Sequence, residues 1–442
     1  MKKVWKTIGS IALSAMMFCG IACMTGCGES GGGDTDEQGN KIIKIAFHVD
    51  KESAEGKAYA KRISAFNTAY KDRNIKASAS YIARSSGGTD YETTLTNKQN
   101  GGKLEDIITF DAPNCASYAK SKLLLDLSDV VSDEIQDDFI TLNKYDGKLF
   151  GLPIQESSAG FFYNKRLFAQ AGVNVSGYTV ENPWTFDQFK AVCQQLKNAN
   201  ITPVDMRFSQ TTDEMATYLL YPFIYAAGGS FVSADGYTAQ GYFNSAETKK
   251  GFQFLKDLVT AGYTSYADKT NEFFNGQVGM YLSSGWEIPD LDAKYPAVFP
   301  NRDTWGLLPY PKDVQAASAT GSWSFGITNN HHANSEEWQD AIKDLLLWMV
   351  TPESSEVITA ATGMIPARKS VEKNYEVGSP EYVLQRQLEL TGRERPVTVG
   401  YPTVTDNFRQ VIYRMDDNDL TVTLNEKTGD IQDKLDTLAS RR

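Results

Sequence analysis

Three histidines, five cysteines and 55 acidic residues are the side chains through which this 442-residue chain could do metal, nucleophilic or acid–base chemistry. Their spacing assembles none of it. His331 and His332 sit in the turn-like run NNHHANS, without HExxH spacing or nearby Cys ligands, and read as a solvated loop pair, so no metal centre is expected. His48 has no GxSxG elbow to serve. Neither a GxxxxGK[ST] phosphate loop nor a GxGxxG after a strand occurs, so no nucleotide cofactor is expected. Carboxylates are so abundant that some pair will always suit glycoside hydrolysis, and abundance assigns no catalytic residue.

What the chain has in surplus is aromatic surface: 22 Tyr, 22 Phe and 7 Trp. Tyr and Trp offer a flat apolar face with a polar tip, which suits the C–H faces and hydroxyl rim of a sugar ring. The formal net charge of -11 argues against nucleic acid, which needs clustered Lys and Arg. It is compatible with a neutral ligand.

These residues must be positioned by elements, and the chain divides at once. Lys2, Lys3 and Lys6 precede an uncharged apolar run over 8–21, and Met24-Thr25-Gly26-Cys27 follows. This is a charged segment, an apolar stretch too short for a comfortable span, and a cleavage pattern ending in Cys. Residues 1–26 resemble a bacterial lipoprotein signal peptide with Cys27 as the lipidated residue; Cys23 is a second candidate. Residues 27–40, Gly-rich and acidic, read as a flexible tether. Order is expected from Lys41. Strands at 41–49, 76–82 and 107–110 alternate with helices at 54–70 and 89–99, which argues for parallel sheets covered by helices. A second α/β set follows, with strands at 160–163, 278–282 and 305–308 and helices at 185–198, 214–227, 246–261 and 270–274. Further helices are expected at 335–350 and 380–390. Thr185 is placed to cap its helix. Two α/β units in one chain put a ligand cleft between them or at strand carboxyl ends.

Landmarks run through the folded part in order. They are Tyr145 to Val173 (YDGKLFGLPIQESSAGFFYNKRLFAQAGV), Pro183 to Phe189 (PWTFDQF), Tyr221 to Gly229 (YPFIYAAGG), Phe274 to Trp286 (FNGQVGMYLSSGW), Trp305 to Pro311, Ala319 to Ile327 (ATGSWSFGI) and Thr362 to Ser370 (TGMIPARKS). From about Ile42 onward the sequence resembles the family 1 extracellular solute-binding proteins, the group that includes maltose-binding protein. Gly279 stands where that pattern usually has Ala. The resemblance implies an α/β, two-lobe, periplasmic-binding-protein-like fold with the ligand cleft between lobes. Lobe one is expected at 41–152 plus 310–352 and lobe two at 153–309 plus 353–442. The crossovers then fall near Gly151–Pro153, Pro309–Pro311 and Pro352. Cys115 and Cys193 fall in different lobes, so they read as core residues, not a disulfide.

The resemblance further implies a non-enzymatic function: a carbohydrate, expected to be an oligosaccharide, is captured and passed to the membrane permease subunits of an ABC importer. The protein would act as a monomer, lipid-anchored on the extracytoplasmic face of the cell membrane, with no cofactor. A surface glycoside hydrolase or a binder of a non-sugar solute are the alternatives. The residues expected to touch ligand are the aromatic platforms Trp286, Trp323 and Tyr218, with Gly321 beside them. The polar set is His48 and Asp50 after the first strand, Asp111 after the strand at 107–110, and Gln155, Glu156 and Ser157 past the crossover, only some of which can face the cleft. Arg368 and Tyr401 complete it. Asp111 could instead cap the helix that follows it.

Overall fold

The computed structural model describes residues 34–84, 90–210, 213–321, 323–371, 373–416 and 419–440. The signal segment, Cys27 and the first part of the tether lie outside the described residues. Residues 34–40 are a hydrogen-bonded turn, not a flexible tether: Asp36 Oδ1 accepts from the amides of Gln38 and Asn40 at 3.0 and 2.9 Å, and Thr35 bridges to Lys41. A short Asp side chain closing on backbone two residues ahead is what stops the chain there.

The strands in chain order are β1 (Lys41–Phe47), β2 (Ile75–Tyr81), β3 (Ile107–Asp111), β4 (Asn143–Tyr145), β5 (Lys148–Pro153), β6 (Gln155–Glu156) and β7 (Ala159–Asn164). They continue with β8 (Thr202–Asp205), β9 (Val278–Ser284), β10 (Trp305–Leu308), β11 (Ser318–Ala319), β12 (Trp323–Ile327), β13 (Ile365–Pro366) and β14 (Gly392–Arg393). One sheet has six strands in the order β2-β1-β3-β12-β5-β4, and a second has four in the order β10-β7-β9-β8. The α/β expectation stands, but the sheets are mixed, not parallel. β1 runs parallel to β2 and β3, whereas β12 is antiparallel to both β3 and β5. The reason is connectivity: β12 enters from the other half of the molecule, so it traverses the sheet in the opposite direction.

The inner strands of each sheet are buried on both faces, and the two-residue period decides which core a side chain joins. In β1, Ile43, Ile45 and Phe47 enter one core and Ala46 another. In β7, Phe161 and Tyr163 face one core and Phe162 the other. Helices complete the layers. Ala54–Ala69 packs on β2 and on Pro352–Thr362, while Glu214–Ala226 packs on Ala246–Thr260. Thr185 caps Phe186–Asn198 through a full capping box with Gln188. Cys115 and Cys193 are free and buried, and burial pushes the Cys115 thiol up to about 12.

Core membership shows where the chain changes halves. Ile154 lies in the core of the six-stranded sheet and Ala159 in that of the four-stranded sheet. The return falls between Ala319 and Phe325, and the last exchange opens after Ile358, where Ile365 joins the second core and Ala367 the first, and is complete by Val383. Each crossing lies downstream of the proline chosen from sequence. Tyr310 to Ala319 still packs with the second sheet, and Pro352–Thr362 with the first, because apolar side chains such as Tyr310 and Ile358 carry the chain onward inside the core it already occupies. The crossing strands also bond to one another: β6 pairs with β13, and Ser157 bridges to Gly321. No helix among the described residues is long and apolar enough to cross a membrane.

Candidate functional site

Between the two sheets lies a cavity of about 570 Å³. Its first wall is made where β1 and β3 end. His48 and Asp50 follow β1, Asp111 is the last residue of β3, and Glu55 comes from the first turn of helix Ala54–Ala69. The floor is the crossing strands, with Gln155 and Ser157 from one and Gly321 and Trp323 from the next. The second wall carries Glu214, Met215 and Tyr218 from one helix and Trp286 from the turn after β9. Nine of the twelve residues expected from sequence therefore line one cavity: Trp286, Trp323, Tyr218, Asp111, Asp50, His48, Gln155, Ser157 and Gly321.

Glu156, Arg368 and Tyr401 do not line this cavity. Glu156 is on the opposite side of β6 from Gln155, buried, and its carboxylate accepts from Thr141 beside a separate void of about 60 Å³. Burial pushes it up to about 7. Arg368 is turned to Asp138, with Nε 2.6 Å from Oδ2, and lies over the Phe139 ring. Tyr401 is buried behind the wall, where its hydroxyl donates to Glu214.

Sequence reading missed Arg395 and Glu214, which organise the centre. The Arg395 guanidinium grips Asp111 with two bonds, Nη1–Oδ2 at 2.8 Å and Nη2–Oδ1 at 2.6 Å, and Nη1 also reaches Glu214 Oε1 at 2.8 Å. Asp111 therefore serves this pair and makes no helix cap. Glu214 Oε2 accepts from Thr405 at 2.6 Å. Burial alone would lower Arg395, but Asp111, with Tyr401 and Glu214, more than reverses this and holds it well above its ordinary value. The site thus contains a desolvated charge cluster that joins the first sheet to the second wall, with Arg395 Nε left as its one buried nitrogen without a hydrogen bond among the described residues. Glu214 was within reach of periodicity, four residues before Tyr218 on one helix. Arg395 was not, because it follows a two-residue strand in a stretch with no period.

Two glycines let these parts approach. A Cβ on Gly321 would lie 2.9 Å from Arg395 Nη2 and 3.3 Å from the Tyr218 ring. One on Gly285 would lie 2.5 Å from the Gly363 carbonyl oxygen, so the turn presenting Trp286 abuts the last crossing backbone to backbone.

The aromatic surfaces are unequal. His48 stacks on Trp323 at 3.4 Å and 1°, with its Nδ1 3.0 Å from Thr109 Oγ1, and the Arg84 guanidinium lies 5.2 Å from the Trp323 ring. Burial, with Arg84 nearby, pushes His48 well below the usual imidazole range, so it is a neutral plate in this stack. Trp286 has no stacked ring neighbour among the described residues. Its Nε1 donates to Glu287 at 3.1 Å and its ring is tilted 44° to Tyr218 at 6.0 Å. Tyr218 is held by Ser157, 2.8 Å between hydroxyls, and burial pushes it up to about 12. Glu55 accepts from Tyr59 at 2.6 Å, and its own burial pushes it up to about 6. Apolar plates with hydroxyls, amides and carboxylates between them can hold a polyol ring by its faces and its rim.

The sequence matches the family described as bacterial extracellular solute-binding protein over residues 61–383. Diacetylchitobiose binding protein DasA of Streptomyces coelicolor is 25% identical over 394 residues, covering 84% of this chain and 83% of its own. Among solved structures, a cyclic alpha-maltosyl-1,6-maltose binding protein from Arthrobacter globiformis superposes with a TM-score of 0.73 at 24% identity, covering 90% of this chain and all of that one. UgpB from Mycobacterium tuberculosis, solved with glycerophosphocholine, gives 0.70 at 19% identity, covering 91% of this chain and 99% of its own.

Proposed function

This chain belongs to the bacterial extracellular solute-binding protein family, and on that premise we propose that it captures a carbohydrate between two lobes and delivers it to an ABC importer. The observation that carries the sugar reading is the cavity itself: the Trp286 face with Tyr218 on one wall, the His48–Trp323 stack on the other, and polar groups from both sheets between them. The fold alone leaves the solute open, since UgpB holds glycerophosphocholine. Lobe one is the six-stranded sheet with its helices, lobe two the four-stranded sheet with its own, and the three crossings are the hinge. A sugar touching both walls favours the closed form; one touching a single wall would shift nothing. The short apolar leader ending at Cys27 supports a lipid anchor on the extracytoplasmic face, and the chain is proposed to act as a monomer without chemistry on its ligand.

Thermal unfolding of the mature chain against mono- and oligosaccharides, with amino acids and spermidine as controls, tests this. A sugar that binds only the native state raises the midpoint by mass action. The expected result is a rise with one sugar class that disappears in Trp286→Ala. A rise with a control and none with sugars overturns the carbohydrate reading and keeps the clamp. Glu55, with its carboxyl at about 6 in the cavity wall, is what a glycoside hydrolase would also contain. New reducing ends on incubation with the bound oligosaccharide would establish that reading instead.

A further inference from the structure

We propose that Asp34, His331 and His332 form a site for a divalent transition-metal cation of the zinc class, fastening the root of the N-terminal tether to the first sheet. The sequence read the two histidines as a solvated pair, but only His331 is exposed. His332 is buried, its ring stacked on Trp338 at 3.9 Å and 7°. Its Nδ1 lies 2.8 Å from Asp106 Oδ1. Asp106, itself buried, is fixed by Asn330 Nδ2 at 2.8 Å and by the Lys44 amide at 2.7 Å.

A carboxylate accepts, so Nδ1 donates to Asp106, and Nε2 is the ring nitrogen left to meet a metal, which displaces any proton there. That buried nitrogen makes no hydrogen bond. It faces Asp34 Oδ1 at 3.1 Å, while Asp34 Oδ2 stands 3.7 Å from His331 Nε2. All three candidate ligand atoms lie within 4.8 Å of one another. Zinc holds nitrogen and oxygen ligands at about 2.0–2.2 Å, so the three atoms need close only slightly around it, and exposed His331 has room to turn. The carboxylate–imidazole–metal order, with Asp106 behind His332, is the arrangement that orients a metal-binding histidine and raises its basicity. Two imidazoles and one carboxylate select zinc, nickel or copper over calcium or magnesium, and leave a fourth position for water. Lys44 Nζ, 3.9 Å from Asp34 Oδ1, is the competing cation, at the outer limit of an ion pair.

Binding would matter at the chain's exit. The Asp34 carbonyl accepts from the Ile42 amide at 3.0 Å, and the histidines sit in the turn between β12 and helix Glu336–Met349. A cation would stitch these two segments together where the tether leaves the fold.

The test is calorimetric titration of zinc(II) into the metal-stripped mature chain carrying no polyhistidine tag. One equivalent is expected to bind. His331→Ala and Asp34→Asn, both at exposed positions that leave the fold intact, are each expected to weaken it more than about tenfold, the least that losing even an outer partner costs. Failure of zinc to bind, or binding undiminished in both variants, overturns the proposal and leaves the cluster as ion pairs alone.

Discussion

Gln155 and Glu156 are neighbours on β6 with opposite surroundings, one in the cavity wall and one sealed behind it. Burial raises the Glu156 carboxyl to about 7 from an ordinary 4.5. The folded state therefore holds a proton that the unfolded chain has already released, and stability falls as pH rises from about 4.5 to about 7. Glu156→Gln removes this term. Its midpoint should match the native protein near pH 4.5, exceed it increasingly up to pH 7, and keep a constant lead above; a lead that does not grow with pH would refute the assignment. Trp286→Ala should abolish the sugar-induced rise while leaving the ligand-free midpoint nearly unchanged, since the ring is only partly buried. Trp286, Trp323 and Tyr218 were legible because each stands beside a sequence landmark. Arg368 misled because its landmark is real while its side chain turns to Asp138. Which way a side chain points from a loop depends on partners hundreds of residues away, and no local pattern encodes that.

Elements were legible where period and punctuation agree. Helix Phe186–Asn198 has an apolar stripe and a capping box, and both show in the sequence. Thr185→Ala should cost about 1 kcal/mol in urea unfolding and leave the sugar response intact. A binding defect would mean that the helix is coupled to the cavity. β1, β3 and β7 were visible as apolar runs, but β12 was not: a five-residue strand containing Ser324 and Gly326 has no period of its own and is a strand only because β3 and β5 flank it. Helices Tyr401–Arg414 and Leu420–Ser440 also escaped, the latter because Thr421, Thr423 and Gly429 dilute its stripe, although Leu424, Ile431 and Leu435 are buried. Gly285→Ala belongs to this scale. Its added methyl would force the turn off Gly363, and the expected outcome is weakened sugar binding, read by calorimetry, with secondary structure retained.

The two-sheet architecture was legible in the order of the landmarks, while the crossings were set too early because proline marks a bend and not a change of core. The buried contact that spans the halves is the Asp111–Arg395 pair, backed by Glu214, with Arg84–Asp213 and Tyr145–Tyr237 nearer the surface. Asp111→Ala leaves Arg395 buried with half its partners, which costs about 3–5 kcal/mol for broken buried pairs. The ligand-free variant should therefore scatter X-rays as a more open molecule, with a larger radius of gyration. An identical curve would show that the pair does not hold the halves together. The sheet order has one more consequence, in time rather than space. β12 lies between β3 and β5, yet it is made after the whole four-stranded sheet. A ribosome that has delivered β1 to β5 has delivered a sheet with its middle missing, and the gap persists until residue 327 emerges. Contacts so distant in sequence form slowly. A native state that the first three hundred residues cannot reach would suit the export proposed above, in which the chain threads a membrane before it folds.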